Sequence, residues 1–148
     1  MVEPFVFVYY DYEMNTRAHL TGTIEVPLPP DEALHLFTPA GERDWVPGWD
    51  PTFPAGEDTA PGTTFLTHEQ TIWVIADRTP TSMRYARITP GVHAGTVEVR
   101  CEAAGTTTRA HVTYDLTTLT DDDTLARFAT DFPAMLAEWE RLIAIAAA

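Results

Sequence analysis

Leu125-Ala126-Arg127-Phe128-Ala129-Thr130-Asp131-Phe132-Pro133-Ala134-Met135-Leu136-Ala137-Glu138-Trp139-Glu140-Arg141-Leu142-Ile143 is the stretch on which the fold turns. Leu125, Phe128, Phe132, Met135, Leu136, Trp139, Leu142 and Ile143 recur at helical spacing, and Arg127, Asp131, Glu138 and Arg141 take the opposite side. Two dozen residues at 1.5 Å each make a rod of about 35–40 Å. Thr120-Asp121-Asp122-Asp123 reads as its start, with Thr120 as N-cap and acids on the positive end of the dipole. Pro133 inside the rod predicts a bend. Such a helix is apolar on one stripe only, so it needs a surface to cover.

The preceding residues supply that surface. Five segments, 63–69, 71–77, 83–89, 93–103 and 107–119, alternate as strands do. They are punctuated by Thr79-Pro80, Pro90-Gly91 and Ala104-Gly105, and connections this short force antiparallel neighbours. Residues 17–26 form another strand, closed by Pro27-Leu28-Pro29-Pro30. Asp31 and Glu32 then begin a short helix with Ala33, Leu34 and Phe37 on its apolar face. Thr38-Pro39 restarts the chain into a second short helix over 40–45. Residues 53–62 are rich in Pro, Gly and acid and read as a functional edge or flap. Residues 5–12 are nearly continuous apolar and aromatic, an added strand joined across a bend near Met14-Asn15. Left open, that strand would favour self-association, so monomer and homodimer both stand.

The fold class is therefore α+β. A curved antiparallel sheet of about six or seven strands wraps the long C-terminal helix, with two short helices after the first long strand. A sheet wrapped around one helix leaves a gap, which is a candidate ligand pocket. The chain of 148 residues fits one domain, 1–148, with 1–15 as an N-terminal extension.

Composition narrows the partners. Twenty-two acids face nine basic residues, all Arg, for a net charge of -13. That balance disfavours nucleic acid and anionic membrane surfaces. The single cysteine, Cys101, excludes an internal disulfide and a cysteine zinc cluster; its alternating context makes it a small core residue. Residues 1–8 lack a basic start and a small-residue cleavage site, and no apolar run reaches the roughly 18–20 residues of a membrane span. A cytoplasmic protein with no membrane insertion is the expectation. No His-Glu-x-x-His, Gly-x-Gly-x-x-Gly, phosphate loop or Gly-x-Ser-x-Gly occurs, and the only serine is Ser82. Neither a metal, a cofactor nor a covalent nucleophile is expected.

The element order resembles the START-like, helix-grip superfamily (SRPBCC), over about residues 17–146. That superfamily includes polyketide cyclase/dehydrase-like proteins and birch-pollen-allergen-type carriers. The string Phe37-Thr38-Pro39-Ala40-Gly41-Glu42-Arg43-Asp44-Trp45-Val46-Pro47-Gly48-Trp49-Asp50-Pro51 is similar to one in a bacterial, polyketide cyclase-like branch. Ile88-Thr89-Pro90-Gly91-Val92-His93-Ala94-Gly95-Thr96-Val97-Glu98-Val99 and Trp139-Glu140 fit the same branch. The resemblance implies a hydrophobic cavity between sheet and helix, in members that carry lipids, bind hormones, cyclise polyketides or assist chaperones. It implies no single chemistry.

Trp45 and Trp49, four residues apart, suit either the mouth of a cavity or a clamp for the short helices. His93 shares parity with Val97 and Val99 on the inward face, so it is a proton-transfer candidate or a satisfied structural histidine. His19 and His111 share the polar parity of their strands, while His68 has no readable side. Tyr85 and Arg87 share one face of their strand. Arg87 is either a cavity anchor for a carboxylate or enolate or half of a rim ion pair. Tyr114 lies on the apolar face of the last strand, and Trp73 sits where alternation is lost. Phe128, Phe132 and Met135 would make the helical wall, and Val97 and Val99 the sheet wall.

Three functions stay open. The first is a carrier or receptor for a small hydrophobic molecule, aromatic, polyketide-like or lipid. The second is a cyclase or dehydratase moving protons through His93, Tyr85 or Tyr114. The third is an acidic interaction or co-chaperone-like module.

Overall fold

The computed structural model describes residues 5–10, 16–68 and 70–148. Its elements in chain order are β1 (Phe5–Tyr10), β2 (Thr16–Val26), α1 (Pro30–His35), α2 (Pro39–Glu42), β3 (Thr64–Thr67), β4 (Thr71–Thr79), β5 (Ser82–Thr89), β6 (His93–Ala104), β7 (Thr107–Thr118) and α3 (Thr124–Ala146). The strands form one curved sheet in the order β1-β2-β7-β6-β5-β4-β3, every neighbouring pair antiparallel. Short turns alone explain the run β3 to β7. The long-range step is β2 against β7, which places Leu20 opposite Tyr114 and Ile24 opposite Ala110. The bend expected near Met14-Asn15 lies outside the described residues.

Alternation decides which face the sheet buries. Leu20, Ile24 and Val26 of β2 and Ala110, Val112 and Leu116 of β7 are buried, and α3 covers them with Leu125, Phe132, Leu136 and Ile143. The helix runs closest along β2, where Glu140 Oε2 accepts the Glu25 backbone N–H at 2.7 Å. It nears β7 only briefly and stands further from β3–β6. Large side chains, rather than close backbone contact, span that half of the interior. A bulge between Ile75 and Asp77 bends β4. Gly95 permits a close approach of β6 to β7: a Cβ there would stand 1.8 Å from the Asp115 carbonyl oxygen.

Helix boundaries depart from the expected ones. α3 begins at Thr124, with Asp123 as an N-cap whose side chain makes no capping hydrogen bond and pairs with Arg127 instead. Asp122 Oδ1 instead accepts the Thr124 N–H at 3.0 Å. Thr120 is not the cap because the buried Thr118 hydroxyl holds its backbone, donating to Thr120 O at 3.0 Å. The helix continues through Pro133, which is exposed. α2 stops at Glu42, short of the expected 45. Its Thr38 cap is present, accepting from Gly41 N at 3.1 Å. α1 and α2 meet so tightly that a Cβ on Gly41 would lie 1.8 Å from the His35 carbonyl oxygen.

The loop over 53–62 is tied down at several points. Arg43 donates to both Glu57 oxygens at 2.9 Å, Gly62 N bonds Ile75 O at 2.7 Å, and Thr52 bridges Leu66. Among the described residues no helix is long and apolar enough to cross a membrane.

Candidate functional site

The inner faces of β5, β6 and β7 carry the polar groups of the interior. Register sets Tyr85 opposite Val97 and Val97 opposite Tyr114, so the two phenols flank one valine. Arg87 lies opposite Gly95, and His93 opposite Thr89 and Thr118. Parity thus keeps Tyr85, Arg87, His93, Val97, Val99 and Tyr114 on the covered face. Tyr85, His93, Val97, Val99 and Tyr114 are all 5% exposed or less.

Aromatic rings from β3, β4 and α3 enclose these groups. Phe128 is the common neighbour: its ring centre stands 5.4 Å from Tyr114 and 6.2 Å from His93, and the Arg87 guanidinium lies 5.7 Å from it. On its other side Arg87 lies 5.3 Å from the centre of Trp73. Trp73 stacks on Phe65 at 5.7 Å and meets Tyr85 edge-on at 5.7 Å, its N–H donating to Thr67 Oγ1 at 2.9 Å. Phe132 meets Tyr114 at 5.7 Å. Met135 is half-buried and packs against the core. These are contact distances, so side chains from helix and sheet meet across the space between them.

The two indoles singled out in the sequence serve as clamps. Trp45 is buried, donates to Leu36 O at 2.6 Å, and wedges between Phe37 at 6.0 Å and Trp139 at 5.5 Å. Trp49 is half-buried, donates to Pro39 O at 2.8 Å, and meets Phe65 and Trp73 edge-on. Both N–H groups are spent on carbonyls of the α1–α2 segment. Tyr85 joins them, donating to Phe37 O at 2.6 Å. Together they pin the short helices to the sheet and to α3.

Other polar atoms are left without partners. Arg87 Nη1 stands 3.4 Å from His93 Nε2, a long contact, and Arg87 Nε and His93 Nδ1 have no hydrogen-bond partner among the described residues. Arg87 makes no ion pair among the described residues, whereas Arg43, Arg100, Arg109, Arg127 and Arg141 all pair with surface acids. The rim ion pair considered for Arg87 is therefore absent, because its strand parity turns it inward, away from the acidic surface. His93 lies on the covered face with its Nδ1 unpaired among the described residues. Burial, with the nearby Arg87 charge, pushes its pKa down to about 4, so the imidazole is neutral at pH 7. With Nε2 facing the guanidinium, the tautomer assigned is Nδ1–H. Tyr114 hydroxyl has no hydrogen bond among the described residues, and burial raises its pKa to about 12.

Sequence reasoning missed Glu42. Its side chain makes no hydrogen bond or ion pair among the described residues, and burial holds its carboxyl well above the usual range. It lies near enough to Tyr85 and Tyr114 that its charge would raise both phenols. The residue closes a two-turn segment that reads as a solvated cover, so only the fold of α2 against β5 and β7 reveals it. Few buried polar groups in a folded protein stand unpaired, and each calls for a partner or a chemical role. Glu42 as the neutral acid, Tyr114, His93 Nδ1–H and Arg87 are all donors, which suits an oxygen that carries or develops negative charge.

The remaining histidines lie elsewhere. His19 Nδ1 contacts Asp115 Oδ1 at 2.5 Å at the surface, and His111 Nε2 lies 3.5 Å from Glu102. His68, exposed with φ 52°, lines a depression of about 450 Å³ with Gly48, Asp50, Thr52 and Leu66. A second depression of about 230 Å³ lies on β2, β6 and β7, around Arg17, His19, Gly95 and Asp115. Neither includes the donor cluster. Cys101 is buried with its thiol pKa raised to about 11. No group of three or more potential metal ligands occurs among the described residues.

No protein-family profile matches the chain, and no curated protein matches it in sequence. Solved structures do match in shape. CalU16 from Micromonospora echinospora aligns over 95% of this chain and 85% of its own, with 16% identity and a TM-score of 0.65. Ara h 8.0201 aligns over 86% and 97%, with 13% identity and a TM-score of 0.65. The human StarD13 lipid transfer and protein localization domain aligns over 97% and 89%, with 9% identity and a TM-score of 0.61. The chain has the START-like helix-grip fold.

Proposed function

We propose that this helix-grip chain, as one domain over 1–148, binds a small hydrophobic ligand with an aromatic or polyketide-like body between α3 and the sheet. The observation that carries the reading is the pair of shielded atoms without partners among the described residues, Arg87 Nε and His93 Nδ1, beside Trp73 and Phe128, with the Tyr114 hydroxyl and the Glu42 carboxyl close by. A purely structural core would pair or omit such groups, since each unpaired one costs about 1–3 kcal/mol. A ligand with an apolar body and a polar tip supplies what they lack. The rings stand in contact, so its entry displaces side chains, and the half-buried Phe128 and Met135 are the movable ones. StarD13's designation as a lipid transfer domain supports a carrier role on this fold by analogy alone. An interaction module has less support: among the described residues the large exposed apolar side chains are Leu119 and Ile145. Native mass spectrometry of the purified protein tests the reading, and a co-purified organic mass or saturable binding of a neutral naphthalene probe is expected. The copy number, monomer or homodimer, comes from the same spectrum.

A second reading, a cyclase or dehydratase, is favoured by one feature: several titratable groups converge on one place. Glu42 as a neutral acid is placed to protonate a leaving or carbonyl oxygen, with Tyr114 and Arg87 stabilising the charge. With a pKa of about 4, His93 is a weak base and serves better as a donor. Incubation with a linear poly-β-ketone should then shift the cyclised product distribution, and Glu42→Gln should abolish the shift while retaining binding.

A further inference from the structure

We infer that the ligand of this site is an organic anion, an aromatic carboxylate or a stabilised enolate or phenolate, whose charged oxygen sits on Arg87. The inference rests on the ligand-binding reading above and adds the ligand's charge. A guanidinium is a fork of five donors and stays cationic in a protein interior. Here its central carbon lies over two rings, Trp73 at 5.3 Å and Phe128 at 5.7 Å, contacts that do not consume its N–H donors. Its Nε–H has no acceptor, and its one polar neighbour, His93, offers a single nitrogen at 3.4 Å.

The chain has acids to spare, 22 against nine arginines, and pairs Arg43, Arg100, Arg109, Arg127 and Arg141 on its surface. Arg17, Arg78 and Arg84 also make no ion pair among the described residues, but they are exposed to water, whereas Arg87 faces inward with a shielded Nε. Arg87 is half-buried with its Nε fully shielded, and a shielded cationic N–H without an acceptor is costly unless an anion arrives. The nearest interior carboxyl, Glu42, does not supply it: Glu42 makes no ion pair, and burial favours its neutral form. The second donors, His93 Nδ1–H and the Tyr114 hydroxyl, share Phe128 as neighbour with Arg87, so they border the same space. Neither adds positive charge at pH 7, so both help an anion without competing for its place on the fork. The flat walls of Trp73 and Phe128 suit a planar body attached to that oxygen.

Two shape-matched probes test this by isothermal calorimetry at pH 7: 2-naphthoate and its neutral counterpart 2-naphthamide. The expected result is that wild type binds 2-naphthoate about 10- to 100-fold more tightly than the amide, the range for a charge-assisted bidentate contact. Arg87→Gln should erase that preference, bringing the ratio of the two affinities to about one. Arg87→Lys, which keeps the charge and loses the fork, should retain only part of it and serves if Arg87→Gln does not fold. Equal binding of both probes by wild type, or an undiminished preference in a folded Arg87 variant, overturns the inference and leaves the pocket standing. If neither probe binds wild type, the ligand-binding reading falls and takes this one with it.

Discussion

His93, buried, and Glu42, half-buried, have pKa values that move in opposite senses, and their effects on stability oppose each other. For His93, ordinary value 6.5 and folded value about 4, the unfolded chain takes up a proton between those limits that the folded chain refuses. Stability therefore rises with pH across that window, by at most ~3 kcal/mol. For Glu42 the folded chain keeps a proton that the unfolded chain releases above 4.5, so stability falls as pH rises from there. Above about 4.5, where both groups titrate, the two slopes oppose each other. Relative to wild type, Glu42→Gln should show stability climbing with pH in urea titrations, and His93→Gln should show it falling. Parallel curves for all three proteins would mean that neither group is buried as described. Parity on β6 made His93 legible, because a strand of period two leaves one choice of face. No such rule reads Glu42, on a four-residue helix, or Trp73, inside Ile72-Trp73-Val74-Ile75 where both faces are apolar.

At the scale of elements, the seam between α1, α2 and the rest depends on Trp45, whose indole bonds Leu36 and contacts Trp139 of α3. Trp45→Ala should cost about 3–5 kcal/mol and lower Tm more than it weakens ligand binding. Weakened binding at unchanged Tm would return Trp45 to the rim of a mouth. Gly41→Ala should also destabilise, since its Cβ would meet the His35 carbonyl. Thermal denaturation of each variant reads both. The strands and α3 were legible to within a few residues because long amphipathic segments carry a redundant signal. The start of α3 was misread because Thr118, buried on β7, captures the backbone of Thr120, a tertiary bond that local capping rules do not contain. The loop over 53–62 reads as a flap by composition, but the partnership of Arg43 with Glu57 depends on where α2 ends.

For the whole molecule, charge is the dominant global quantity. A net charge of -13 sets the surface against itself. Raising ionic strength from about 0.01 to 0.15 M shortens the screening length from about 30 to 8 Å, so Tm should increase with salt. A fall in Tm would mean that surface pairs such as Arg43–Glu57 outweigh the repulsion. The sequence supplied the layer order, and the spacing of the layers needed the structure. α3 hugs β2 and leaves the β3–β6 side to aromatic rings, an asymmetry that no periodicity encodes.

The donor cluster around Phe128 has a consequence for how guests admitted beside it would compete. Among compounds of one shape, occupancy would follow how readily each sheds a proton, more than how poorly it dissolves in water. A phenol held there would ionise at a lower pH than it does free, so a coloured indicator phenol would change hue on entering, reporting the cluster's electrostatics directly.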